Sequence, residues 1–277
     1  MNPAKEWRTF KAVFLRNLKL FTSYSAWIVA ILIWPIPLLA VNIYSYKALG
    51  TDASISSIVS REFGISNFAG MVIIGTIVYL LYNRLLWGAG ISLQSERWMG
   101  TIEALFMTPA NRMTVLFACG VSSLIEGSWW IGCIFILSWM IFGVEPSITS
   151  WVAIAAGILS TMVALISVGV FFASFFVLTR AADQMASALQ APIRFFSGVV
   201  FPISALPQLL QFISYILPVT YGIQAMRKAV LTGGDVASIS YELALLYVFA
   251  LGLTVAGYFT LKALEKQAKR KGTLYMY

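Results

Sequence analysis

ITSWVAIAAGILSTMVALISVGVFFASFFVL, residues 148–178, runs for 31 positions without one charged side chain. A helix crosses the hydrocarbon core of a bilayer with about 20 apolar residues, so this stretch alone is long enough to span. The composition of the whole chain agrees. Of 277 residues, 60% are hydrophobic and 11% are charged, and the mean hydropathy is +0.84. A soluble domain carries about 25% charged residues, and a chain so depleted has too little polar surface to face water. The fold class expected is an all-α integral membrane protein in a single transmembrane domain, 1–277.

Working outward from 148–178, five further apolar stretches read as spans, at 22–46, 68–92, 113–142, 184–201 and 241–261. The first contains WPIP at 34–37, where proline removes helical donors and predicts a kink. The second is interrupted by Asn83 and Arg84, the third carries Glu126, and the fifth carries Arg194. Residues 47–67 are polar and mixed, and GVEPS at 143–147 reads as a tight turn. Residues 202–232 hold prolines at 202, 207 and 218, and only ten residues separate Pro207 from Pro218. That is too short to cross, and predicts a re-entrant or interfacial helix pair.

The amino-terminal stretch 3–21 predicts a helix lying in the membrane interface. Trp7, Phe10, Phe14, Leu18 and Phe21 share one helical face, and Lys5, Arg8, Lys11, Arg16 and Lys19 supply the other side. It lacks the apolar core and small-residue cleavage site of a signal peptide. Six spans put both termini on one side. Fourteen basic residues then fall on that side and four (Lys47, Arg61, Arg227 and Lys228) on the other. The richer side is cytoplasmic, which makes the hairpin at 202–232 external and assigns the net charge of +8 to membrane topology and lipid contact, not to nucleic acid.

Several chemistries are excluded. The chain has no histidine, so imidazole metal sites, Ser-His-Asp triads and histidine proton relays are absent. Cys119 and Cys133 lie 14 residues apart in one apolar run; on a helix that is about 21 Å, beyond disulfide reach. No metal site is expected. Nor is a phosphate loop of the Gly-x-x-x-x-Gly-Lys-Ser/Thr kind present, so the chain is not expected to be an enzyme or to hydrolyse ATP. Arg84, Glu126 and Arg194 are ionisable groups within spans, where Glu126 has either arginine as a possible partner. An ion- or proton-coupled carrier using Glu126 is the alternative they raise. The absence of an internal repeat weighs against it.

One short segment breaks the hydrocarbon pattern. SERWMGTIEALFMTP, residues 95–109, contains a Gly-Thr break and a closing Thr-Pro. Gly100 ends one helix, Thr101 is positioned as an N-cap, and Pro109 stops a two-turn helix with Ile102, Leu105 and Phe106 on one edge. A helix of this size fits a groove on another protein.

This segment resembles the E-R-x-x-G-T-[LI]-E-x-L-x-x-T-P motif of the ABC type-2 exporter permeases. FFSGVVFPISALPQLLQFISYILPVTYGIQAMR, residues 195–227, resembles that family's second signature. The resemblance implies that 95–110 is a coupling helix seated on a separate ABC ATPase subunit, with Glu96, Arg97, Gly100, Thr101, Glu103 and Pro109 at the matching positions. The charged ones are expected to pair with the ATPase. It implies an external gate or re-entrant hairpin with Phe201, Pro202, Pro207, Pro218 and Tyr221. It also implies a second permease copy or paralogue, no cofactor in this chain, ATP and Mg on the ATPase, and export across the cytoplasmic (inner) membrane of a prokaryote. Trp129, Trp130, Phe171, Phe172, Phe175, Phe176, Phe195 and Phe196 supply an aromatic path suited to an amphipathic, lipid-like or drug-like substrate, or a lipid-linked glycan.

Overall fold

The structure, a computed structural model, describes residues 3–24, 33, 35–47, 68–142, 150–176 and 181–271. Most of the expected 22–33 half of the first span, Trp34, the loop 48–67, the turn 143–147 and Arg180 lie outside the described residues. Among the described residues every regular element is helical. They are α1 (Pro3–Ser23), α2 (Pro35–Lys47), α3 (Phe68–Leu85), α4 (Ser92–Trp98), α5 (Ile102–Met107), α6 (Arg112–Phe142), α7 (Trp151–Phe176), α8 (Ala182–Phe196), α9 (Gln208–Ile216), α10 (Pro218–Leu231) and α11 (Ser240–Lys271). A π-helical turn, Leu86–Gly90, joins α3 to α4.

Four helical stretches are long and apolar enough to cross a membrane: Ala69–Gly90, Arg112–Leu137, Trp151–Phe176 and Ser240–Ala263. They correspond to the expected spans 68–92, 113–142, 148–178 and 241–261. The α9–α10 pair, bent by 92°, brings the count to five if it is taken as one broken span. The six expected spans are therefore not all reached. The difference lies in the first stretch, partly outside the described residues, and in α8. That helix has 15 residues with Pro192 inside it, about 22 Å of rise against a hydrocarbon core of about 30 Å. Its sequence explains this: Asp183, Gln184, Gln190 and Arg194 interrupt the apolar run.

The uncharged helix α7 is the hub. It packs against α11 along its length, and also against α10, α6, α3 and the π turn. Lipid offers apolar surfaces no incentive to leave it, so helices in membranes associate through close backbone approach and interhelical hydrogen bonds. The buried residues of α7 accordingly include many small ones, Gly157, Ser160, Thr161, Ala164, Ser167, Gly169, Ala173 and Ser174, set among larger apolar groups such as Leu165, Ile166 and Phe176. Ser160 Oγ bonds Tyr247 Oη at 3.0 Å, and Thr254 Oγ1 donates to Ser167 Oγ at 3.0 Å, joining α7 to α11 twice. The outer faces carry the large apolar groups, Trp151, Leu159, Val248, Leu251 and Phe259 among them.

Candidate functional site

The segment between α3 and α6 is built by local sequence. α4 ends in Met99, and Gly100 follows at φ 69°, the left-handed conformation that costs other residues a Cβ clash. Gly100 N–H donates to Arg97 O at 3.0 Å and Thr101 N–H to Glu96 O at 2.9 Å, which closes the helix end in a Schellman motif. α5 then starts at Ile102 and stops where Thr108, extended at ψ 147°, meets Pro109. Thr101 occupies the N-cap position of α5 but does not cap it. Its hydroxyl donates instead to Glu96 Oε2 at 2.5 Å. A carboxylate is the stronger acceptor, and Thr101 has helical dihedrals (φ −95°, ψ −5°), not the extended ones of a capping residue.

Glu96, one of the charged residues expected to pair with the ATPase, has partners within the chain. It is buried, and its Oε1 lies 2.6 Å from Arg16 Nη2 of α1. Glu96 thus ties α1 to the segment and to Thr101 at once. α1 lies along α6, where Thr114 Oγ1 donates to Glu6 Oε2 at 2.5 Å and Asn17 Nδ2 donates to Ser122 Oγ at 3.0 Å. Trp7, Leu15 and Leu20 remain exposed, and Trp7, Phe10 and Phe14 stack in series at 5.7 and 6.0 Å. Arg97 is half-buried and donates to Gln94 Oε1 at 3.2 Å. The side chain of Glu103 lies outside the described residues. The large side chains that the described part of the segment exposes are apolar: Met107 is 87% exposed, Trp98 60% and Met99 59%, with Pro109, Thr101 and Thr108 also exposed. The sequence reading passed over these three large side chains, although their place beside the Gly-Thr break and the Thr-Pro stop was a signal.

Of the intramembrane charges, Arg84 and Glu126 pair, between α3 and α6. Glu126 had two candidate partners in the sequence; Arg194 is elsewhere, donating from Nη2 to Asn42 Oδ1 of α2 at 2.7 Å with its guanidinium carbon 6.0 Å from the Tyr79 ring centre. The ion pair borders a cavity of about 440 Å³ between α1, the π turn and α6, lined by Arg16, Asn17, Ser92 and Ser122 as well. The aromatic residues sit in different settings. Phe172 and Phe176 stack at 5.5 Å with Phe176 fully buried, while Trp129 is exposed on α6.

The expected hairpin residues hold a corner. Pro207 precedes α9 and Pro218 opens α10. Pro218 has no N–H to offer Ser214 O, four residues back, and that carbonyl accepts from Leu217 N–H at 3.2 Å and from Thr220 Oγ1 at 2.7 Å. Tyr221 Oη donates to Tyr215 O at 2.8 Å in the same way. Phe201 packs edge-on against Phe195 at 5.1 Å, and Pro202 starts the turn that follows. One functional candidate escaped the sequence reading. Arg227, counted there only among the basic residues of the side opposite the termini, is 8% exposed. Its Nε and Nη2 donate to Met71 O at 3.2 and 3.0 Å, and Nη2 also donates to Val199 O at 3.0 Å. Gly75 makes room for this: a Cβ there would lie 2.8 Å from Nη2 and 2.3 Å from Val199 O. The only sequence signal was its setting among Ala225, Ala229 and Val230.

Comparison with known proteins agrees with this architecture. Residues 8–231 match the family described as ABC-2 type transporter. A stretch of 62 residues is 40% identical to Nodulation protein J of Sinorhizobium fredii (strain NBRC 101917 / NGR234), covering 22% of each chain. The chain thus spans about a fifth of the length of that relative. With a match extending over most of its length, from within α1 to the end of α10, the chain belongs to the ABC-2 type transporter family.

Proposed function

We propose that this chain is the permease subunit of an ATP-driven exporter, coupled through 95–110 to a separate ABC ATPase subunit that binds ATP and Mg. The observation that carries this is the exposed apolar trio Trp98, Met99 and Met107 on a short element fixed by the Gly100 cap and by the Glu96–Arg16 tie. A rigid apolar knob between two long helices suits a groove on a partner, and closure of that partner then tilts α3 and α6. Family membership supports the same reading, since such permeases pair with an ATPase. A second permease completes the path. The cargo is an amphipathic, lipid-like or drug-like molecule, or a lipid-linked glycan. The membrane is the cytoplasmic membrane of a prokaryote, with both termini cytoplasmic and the α9–α10 hairpin external. The Glu126 carrier is not favoured, because the carboxylate is held in an ion pair with Arg84.

The test is recovery of an ATPase from membranes with the intact chain and with Met107→Asp. Met107 is 87% exposed, so the substitution is expected to change stability by no more than about 0.5 kcal/mol. An ATPase recovered with the intact chain and lost with Met107→Asp supports docking at 95–110. An ATPase retained by both moves the contact elsewhere, and none with either removes the exporter reading.

A further inference from the structure

At the end of the bundle away from the docking segment lies a second cavity, of about 560 Å³, lined by Arg227, Lys228, Gln224, Ser197 and Ser204 among others. Its position follows from α3. Met71, which Arg227 holds, is 14 residues before Leu85, about 21 Å along the helix from the end that leads to α4.

The charges on its wall do not cancel. Lys228 Nζ lies 2.7 Å from Glu242 Oε1, and that carboxylate is buried against it. Arg227 has no carboxylate partner among the described residues; its three contacts are backbone carbonyls. A guanidinium has five N–H donors, and the Nε and Nη2 donors are all engaged. Both Nη1 donors remain, on a residue that borders the cavity. A buried cation with no counter-charge is costly unless something compensates it. A second unpaired group sits on the same wall. Ser197 is 1% exposed, and its hydroxyl has no hydrogen-bond partner. Gln224 and Ser204 add an amide and a further hydroxyl.

We propose that this cavity binds an oxyanion, a phosphate group, with Arg227 Nη1 giving the charged pair of donors and Ser197, Gln224 and Ser204 supplying neutral ones. The planar fork of arginine matches two phosphate oxygens at once. The hairpin-side position and the volume admit a phosphate borne on a lipid headgroup as well as free phosphate. This site is separate from the ATPase-docking segment, and its test reads binding without transport, so it stands or falls apart from the exporter reading.

The experiment uses the full chain purified in a neutral detergent. The probes are dioctanoyl phosphatidic acid, dioctanoylglycerol and inorganic phosphate, and the readouts are retention by native mass spectrometry and the unfolding midpoint. Phosphatidic acid is expected to be retained and dioctanoylglycerol released. Arg227→Lys is expected to lose retention, but it also disturbs the clamp on Met71 and Val199. Ser197→Ala and Gln224→Leu therefore carry the test. Ser197→Ala removes a hydroxyl with no protein partner, so the ligand-free midpoint should hold or rise while retention falls about tenfold, as for one hydrogen bond to a charged group. Competition by inorganic phosphate supports a site that accepts the free anion. Retention of phosphatidic acid without such competition supports a site that reads a lipid-borne phosphate. Equal retention of dioctanoylglycerol, unchanged retention in both Ser197→Ala and Gln224→Leu, or no retention of any probe overturns the proposal.

Discussion

The Arg84–Glu126 pair admits a quantitative test. Glu126 has 8% of its side chain exposed and Arg84 20%, and they meet between α3 and α6. Removing one member of a buried pair leaves the other charge uncompensated and costs about 3–5 kcal/mol, whereas replacing both with neutral side chains of similar volume is near neutral. Arg84→Met strands the more deeply buried carboxylate and should reach the upper part of that range. Glu126→Gln strands an arginine with some access to the neighbouring cavity and should fall near its foot. At about 2–4 °C per kcal/mol, the single variants should unfold roughly 6–20 °C below the parent. The double variant Arg84→Met/Glu126→Gln should recover most of that loss, so that the two single losses together exceed the double's by several kcal/mol, more than either single loss alone. Tryptophan fluorescence on heating in detergent reads all four proteins. Additive losses in the double variant, or a neutral Glu126→Gln, would refute the assignment of these residues as one coupled pair. If the exporter reading holds, the double variant also keeps ATP-driven transport, which a Glu126 carrier would lose.

Three further outcomes are expected. Gly100→Ala puts a Cβ on a residue at φ 69° with no neighbouring atom within 4 Å, so the cost is conformational alone, about 1–2 kcal/mol by thermal unfolding, and a neutral result would contradict the observed cap. Thr220→Val keeps the shape of a fully buried side chain but takes one of two donors from Ser214 O, which keeps the Leu217 N–H at 3.2 Å; it should lose about 0.5–1.5 kcal/mol, the net worth of one hydrogen bond, and increase protease cleavage near the α9–α10 corner before any other site. Arg16→Ala and Glu96→Gln should be non-additive by about 0.5–1 kcal/mol, since their ion pair is half-exposed on the arginine side, and full additivity would separate α1 from segment 95–110.

Much of the fold was legible because the bilayer makes simple demands. An uncharged run such as 151–176 has one stable form in lipid, and the structure has a helix there. The Gly100 break, the Pro109 stop and the proline corner at 218 were legible for a similar reason: each fixes the backbone locally. Side-chain direction was not. Glu96 reads as a surface charge until Arg16 and Thr101 are brought to it, and Arg16 is distant in sequence. Arg227 reads as a basic residue at a membrane edge until Met71 O and Val199 O claim it. The length of α8 was misjudged because a hydropathy reading passes over Pro192 and its polar neighbours.

The π-helical turn at Leu86–Gly90 sets a phase. Each residue of an α-helix advances the chain by about 100°, and a π turn absorbs about one extra residue into the spiral. The side chains beyond it, Ser92, Leu93, Gln94 and Glu96, are buried in a rotation that depends on that extra residue. Deleting one residue from 86–90 would turn Glu96 away from Arg16 while leaving the sequence of every other element intact. Insertions and deletions should therefore be tolerated far less in this five-residue turn than its plain sequence, LWGAG, would lead one to think.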